Sequence, residues 1–184
     1  VAHQLVDAMR DFRFAHAGVK MLVAEEPFEA GGRAFGAGAV IIPNADQAKM
    51  GASIKEYGLS AWAVTEAPKV KTHDLDVPRI GYIHSWSNTQ NEGWVRMAFD
   101  KFNVPYTYFS DIKLREGNLR AKYDVIIYPH VGGTALSQVN GLPMTGQPIP
   151  YKKTDQTPNL GVQDSADDIR GGMGFEGLLN LYQF

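Results

Sequence analysis

Arg79–Ile80–Gly81–Tyr82–Ile83–His84–Ser85–Trp86 is the stretch whose reading decides the fold. Its apolar run, Ile80, Tyr82 and Ile83, ends in a polar and aromatic cluster. A helical pattern follows over residues 91–102, then a second apolar run over residues 106–109. A third run, Tyr123–Asp124–Val125–Ile126–Ile127–Tyr128–Pro129, closes into His130–Val131–Gly132–Gly133. Short strands alternating with helical segments predict βαβ units on a parallel sheet. In open α/β sheets, ligands bind beyond the carboxyl ends of the strands. Here those ends carry His84, Ser85 and Trp86, then Ser110 and Asp111, then His130, Gly132 and Gly133. They form the candidate ligand edge.

Working outward, Trp94, Val95, Ala98, Phe99 and Phe102 make the apolar stripe of a helix expected to pack on the sheet. Asn91 or an earlier polar residue is its expected N-cap, and Glu92 suits the positive end of the helix dipole. Trp94 is expected in the core. Asn103–Val104–Pro105 ends the helix, and a short helical turn over residues 118–121 precedes the third strand.

Periodicity fails over residues 134–174, where Pro143, Pro148, Pro150 and Pro158 interrupt it. A stretch of this kind inside a compact domain is usually functional or disordered. It is expected to be a partly ordered loop wrapping the carboxyl edge, pinned by Ile149, Tyr151 and Leu160. Asp164, Asp167, Asp168 and Arg170 then lead to Gly171–Gly172–Met173–Gly174. Residues 175–184 read as a further helix, with Leu178, Leu179, Leu181 and Phe184 apolar. A parallel sheet calls for another strand after such a helix, and a helical pattern is already running at Val1. Both suggest a segment of a longer chain.

Upstream, Leu5, Val6, Met9, Phe12 and Phe14 are spaced as one amphipathic helix. His3 and His16 flank it and read as ordinary surface or half-buried histidines. Residues 19–24 predict a strand, and Gly31–Gly32 between two short extended pieces predicts a hairpin. A phosphate-binding loop needs its glycines between a strand and a helix N-terminus, so the turn is the better reading. Val40–Ile41–Ile42 predicts a strand stopped by Pro43. Asn44 or Asp46 caps a helix that ends at Gly58, and residues 59–64 predict one more strand. Residues 65–78 read as a polar, extended connector bracketed by Pro68 and Pro78. His73, Asp74 and Asp76 lie in it, and a solvated connector explains them better than a metal site, which needs a rigid frame. The chain thus divides into a small α+β lobe with its connector, residues 1–77, and an α/β domain, residues 78–184.

The 184 residues are 44% hydrophobic and 21% charged, which is the composition of an ordinary globular chain. The net charge of −2 gives no electrostatic footprint for nucleic acid. No apolar run approaches the ~20 residues that span a bilayer. Cysteine is absent, which excludes disulfides, thiolate zinc ligands and a cysteine nucleophile within these residues.

Several short matches carry a resemblance. They are Pro78–Arg79–Ile80–Gly81, Glu92–Gly93–Trp94–Val95–Arg96, Tyr106–Thr107–Tyr108, and Tyr123–Asp124–Val125–Ile126–Ile127 followed by Gly132–Gly133. Together they resemble a class I glutamine amidotransferase-like, flavodoxin-like domain. More narrowly, they resemble the accessory region of large bacterial zinc carboxypeptidase homologues. Pro27–Phe28, Gly31–Gly32 and Gly38–Ala39–Val40–Ile41–Ile42–Pro43 resemble the segment that precedes the domain in those proteins. The resemblance implies a flavodoxin-like parallel sheet with flanking helices, incomplete at its C-terminal end, after a small α+β lobe. It also implies a secreted or periplasmic metallopeptidase (a hydrolase) as the parent chain, with zinc in the peptidase domain and none in this segment. The implied partners are the peptidase domain of the same chain and a peptide or cell-wall substrate, with no nucleic acid and no membrane span.

Two departures limit what carries over. The carboxypeptidases bind zinc through a His-x-x-Glu pair, whereas here His3, His16, His73, His84 and His130 are followed three positions on by Val6, Val19, Asp76, Ser87 and Gly133. An amidotransferase needs a cysteine nucleophile, and there is none. The leading expectation is therefore a non-catalytic accessory domain that positions a substrate or partner. The alternative is a ligand- or metal-binding hydrolase-type pocket built from His84, Asp111 and His130, with one histidine as general base and Asp111 orienting it, or the three as a zinc set. A third reading makes Trp62, Trp86 and Tyr151 a contact surface for a partner.

Overall fold

The computed structural model describes residues 6–87, 90–130 and 132–184. His3 and Leu5 of the predicted first helix, Asn88 and Thr89 before the central helix, and Val131 lie outside the described residues. The chain forms two compact units, Val1–Val77 and Pro78–Phe184.

In the first unit, helix α1 (Val6–Ala15) is followed by strands β1 (Leu22–Ala24), β2 (Phe28–Ala30), β3 (Arg33–Phe35) and β4 (Val40–Ile41). Helix α2 (Gln47–Glu56) and strand β5 (Thr72–Asp74) complete it. β1 is central and antiparallel to both β4 and β5. Phe12, Met21, Val40 and Met50 form the core, and Val23, Ile54, Tyr57, Leu59 and Leu75 close around it. His16 serves the packing: its Nε2 lies 2.6 Å from Ser53 Oγ, joining α1 to α2.

β2 and β3 pair as the predicted hairpin. Both of its turn residues have positive φ, +55° at Gly31 and +72° at Gly32, as a primed two-residue turn requires. The stacked rings of Phe28 and Phe35 lie 5.1 Å apart across the pair.

Asp46 rather than Asn44 caps α2, its Oδ1 accepting from the amides of Ala48 (3.0 Å) and Lys49 (3.1 Å). Asp46→Ala is expected to cost about 1 kcal/mol, read as a lower urea midpoint of the lobe with an unchanged slope.

Two expectations about the lobe are corrected. Residues 59–64 do not form a strand: Leu59 turns into the core, and Ser60 to Val64 run exposed with no ladder partner among the described residues. The connector, conversely, contains β5, in which His73 pairs with Val23. The apolar strand β1 has two edges whose backbone groups need partners, and the extended connector supplies the second. The His73 side chain stays at the surface, 3.5 Å from Glu25 Oε1.

The second unit is mixed α/β, with a three-stranded parallel sheet and flanking helices. Strand β6 (Ile80–His84) leads to helix α3 (Gln90–Lys101) and strand β7 (Tyr106–Ser110). A 3-10 helix (Asp111–Glu116), helix α4 (Leu119–Lys122) and strand β8 (Val125–Ile127) follow. The strand order is β7-β6-β8, with Ile80 opposite both Tyr106 and Val125. On one face Ile83, Phe109 and Ile126 pack with Leu114, Leu119, Met173, Leu181 and Phe184. At the amino edge Arg79 grips Asp124 with two side-chain bonds, of 2.7 and 3.0 Å. This pairing holds the Asp124 carboxyl down at about 2.

On the opposite face α3 meets tyrosines rather than an apolar sheet. Tyr82 donates to the Glu92 carbonyl (3.1 Å) and Tyr108 to Glu92 Oε1 (2.6 Å). The Arg96 guanidinium lies 4.0 Å over the Tyr108 ring. The helix is therefore turned to bring Glu92, Val95, Arg96 and Phe99 inward. Of the predicted stripe, Val95, Ala98 and Phe99 are half-buried against the sheet, whereas Phe102 and Trp94, the latter expected in the core, turn outward, Trp94 to 62% exposure. Asn91 sits inside the first turn rather than at the cap, and its Nδ2 donates to the His130 carbonyl (3.1 Å).

Residues 134–174, read as one long loop, carry more structure than expected. Helix α5 (Ala135–Asn140) opens them, with Thr134 and Ser137 forming a capping box. Single bridges pair Leu142 with Arg170 and Tyr151 with Ala166. Arginines satisfy carbonyls that have no ladder. Arg170 donates to Thr145 (3.0 Å) and Gly146 (2.9 Å) while clasping Asp168, and Arg115 donates to Gly171, Gly172 and Met173. Helix α6 (Gly174–Gln183) then returns to the body, where Asn180 Nδ2 donates to the Leu114 carbonyl (2.8 Å). Among the described residues no helix is long and apolar enough to cross a membrane.

Candidate functional site at the carboxyl edge of the sheet

Parallel pairing places His84, the last residue of β6, opposite Ser110, the last of β7. His84 follows Tyr82 on the α3 face, and its ring stacks on Tyr108 with centroids 4.4 Å apart. Trp86 meets the same ring edge-on at 4.7 Å, and Tyr151 from the long loop packs on Trp86 at 4.7 Å. Enclosed in this way, His84 is only 3% exposed.

A buried imidazole needs a partner for its N–H. That partner is Asp164, 80 positions along the chain, whose Oδ2 lies 2.9 Å from His84 Nε2. A carboxylate only accepts, so Nε2 carries the proton. The Nδ1 side faces the Ser85 carbonyl at 3.4 Å. Asp164 also accepts from the backbone amides of Ser110 (2.7 Å) and Ser165 (2.8 Å) and from Lys113 Nζ. Burial alone would raise its pKa, but the bonds from His84, Lys113 and Ser110 outweigh burial and hold it well below the ordinary carboxylate range.

Asp111 lies one residue past β7, at the start of the 3-10 helix rather than on the strand, and is 2% exposed. Burial pushes its carboxyl up to about 6, against smaller opposing effects of its backbone amide bond, His84 and Arg115. Its Oδ1 has no hydrogen-bond partner. Tyr128, just beyond β8, is raised to about 12 by burial and by the nearby Asp111 charge, and its hydroxyl is unpartnered too. Ser85 Oγ, Ser110 Oγ and Trp86 Nε1 are likewise buried without partners. Ser85, Asp111 and Tyr128 continue the face of Ile83 and Phe109, whereas His84 and Ser110 continue that of Tyr82 and Tyr108.

Of the residues read from the sequence, His84, Ser85, Trp86 and Asp111 come together. His130 does not join them. Its side chain is exposed, its carbonyl is used by Asn91, and Gly132 and Gly133 beside it are exposed as well. Among the described residues no three His, Asp or Glu side chains gather as a metal site. Asp111 is not the orienting partner of the histidine; Asp164 is. The sequence gives no spacing that would single out Asp164, because the loop contact is set by tertiary folding. Trp86 and Tyr151, expected as contact-surface aromatics, pack on each other and leave Trp62, at 41% exposure, as the outward-facing member of that set.

Chemically, the edge is a closed ionic knot around His84 and Asp164 on one face of the sheet, with Ser110 Oγ and Trp86 Nε1 unpaired beside it, and the unpaired polar atoms of Ser85, Asp111 and Tyr128 on the other. Compared with models of protein families, with curated proteins and with solved structures, the chain matches none.

Proposed function

We propose that this chain is a non-catalytic accessory region of a zinc carboxypeptidase-like protein. On this reading it is a flavodoxin-like domain of the class I glutamine amidotransferase type, behind a small lobe, and it positions a substrate or partner. The peptidase domain of the same chain, a peptide or cell-wall substrate and a secreted or periplasmic setting belong to the proposal, with zinc held in the peptidase domain. The parentage rests on the sequence resemblance alone, and one observation carries the non-catalytic reading: the place where an active site of such a sheet would lie is filled by the chain's own Asp164. A general base must reach a substrate proton directly or through one water. His84 is buried, sandwiched by rings, and has spent Nε2 on Asp164.

The unpartnered atoms of Ser85, Asp111 and Tyr128 favour a second reading, a small polar ligand pocket on the other face of the same edge. Melting the chain with added zinc and with a chelator, beside a metal analysis and an assay on peptide and ester substrates, separates the two. The accessory reading expects an unchanged midpoint, no stoichiometric metal and no turnover above the uncatalysed rate. A chelator-induced drop of several degrees, or turnover that disappears in His84→Gln, would overturn it.

A further inference from the structure

We propose that the small lobe binds a carboxylate-bearing aromatic group in the cleft between Arg33, Phe35 and Trp62. The inference concerns that lobe alone and stands whatever the carboxyl edge of the parallel sheet does. The cleft has a volume of about 170 Å³. A dry cavity of about 150 Å³ accommodates benzene, whereas pockets for drug-sized ligands start near 300 Å³. The space therefore suits one ring, not a nucleotide or an extended chain.

Its walls fix what the ring meets. Trp62 stands edge-on to Phe35, with centroids 5.7 Å apart, and Phe35 is backed by Phe28 across the hairpin. Ala34, Ala37 and Ala39 keep the floor small. At Gly36 an added Cβ would meet nothing within 4 Å, so the room beside it is open. The primed turn at Gly31 and Gly32 holds this platform in shape before anything binds, which lowers the ordering cost of binding.

The charge comes from Arg33, whose guanidinium lies 4.9 Å over the Trp62 ring. Arg13, Arg79, Arg115 and Arg170 each spend their donors on named carbonyls or carboxylates. The Arg33 guanidinium donates no hydrogen bond and meets no carboxylate among the described residues. No acidic residue described lines the cleft either. A planar fork with free donors matches a carboxylate in bidentate fashion, and stacking on Trp62 holds that fork at the cleft's rim. An aromatic ring lying against Phe35 and Trp62 with its carboxylate on Arg33 satisfies every wall at once. A free aromatic acid and the C-terminal residue of a peptide share this chemistry.

Calorimetry and the indole N–H signals of the 184-residue chain test the proposal, with phenylacetate, phenylacetamide, N-acetyl-Gly-Gly-Phe and its C-terminal amide as probes. The two acids are expected to bind in the millimolar range and each amide about tenfold more weakly or worse. Arg33→Gln should lose about tenfold toward the acids with an unchanged melting temperature. Gly36→Leu, at a position free of left-handed strain, should block both acids by filling the cleft. Tighter binding of the peptide than of phenylacetate assigns the site to peptide termini, and equal binding assigns it to free aromatic acids. Acids and amides binding alike, no response at tens of millimolar, or an Arg33→Gln chain that binds like the parent would each overturn the proposal.

Discussion

Asp164→Ala is expected to destabilise the α/β unit by about 3–5 kcal/mol, the usual cost of removing one partner from a buried ionic network. The side chains of His84 and Asp164 are 4% and 2% exposed, so water cannot replace what is lost. Without the carboxylate, the His84 Nε2–H, the Ser110 amide and the Lys113 ammonium lose their acceptor together. Lys113 is partly exposed and can turn to solvent, but the other two donors cannot. The loop would also lose its deepest anchor, loosening the packing of Tyr151 on Trp86. Asp164→Asn keeps an oxygen for the Ser110 amide and should lose less. Urea titration followed by circular dichroism checks both. An Asp164→Ala midpoint indistinguishable from the parent's would mean that the loop does not hold the strand edge.

The second large effect is a pH dependence with an unusual sign. Burial raises Asp111 from 3.8 to about 6, so the folded chain keeps a proton that the unfolded chain releases. Between about pH 4 and about pH 6 the unfolded state binds fewer protons, and stability falls as pH rises through that window. The stabilisation is fully present below the unfolded value and gone above the folded one. A shift of about two units corresponds to about 3 kcal/mol. Among the facing charges, His84 and Arg115 moderate the shift and Asp164 adds to it.

Asp164 runs the other way. Its pKa is depressed, so its contribution is present above the ordinary carboxylate value and is lost only as pH falls below about 4. The two windows barely overlap, which makes the assignment clean. Asp111→Asn should flatten the profile between about pH 4 and about pH 6, and at neutral pH the variant should be more stable than the parent by up to about 3 kcal/mol. Profiles for parent and variant that run parallel through that window would show that Asp111 is not the group responsible.

Much of the fold was readable because local chemistry and tertiary demand agree. Ile80, Tyr82 and Ile83, Tyr106 to Phe109, and Val125 to Ile127 are apolar runs that can only be strands in a chain with this spacing, and all three enter one parallel sheet. The turn at Gly31–Gly32 and the Asp46 cap need only their own neighbours. Reading failed where a distant partner decides. Trp94 belongs to an amphipathic pattern, yet the tyrosine hydroxyls of the sheet rotated α3 toward Glu92 and Arg96. Thr72 to Asp74 have no strand signal of their own, and the unpaired edge of β1 made them one.

The candidate site divides in the same way. The sequence by itself determined that polar side chains, His84, Ser85 and Asp111, would end the parallel strands, because alternation and the chain's reversal at a strand end are local matters. Only the tertiary structure decided what those side chains do. Asp164 lies 80 positions from His84, in a stretch without periodicity, and its choice of partner rests on burial and hydrogen bonding across the folded edge. The same folding left His130 outside the cluster and set a free guanidinium beside Trp62. Hydrophobic period writes strands and helices into a sequence, whereas the pairing of charges depends on distances that exist only once the chain has closed on itself.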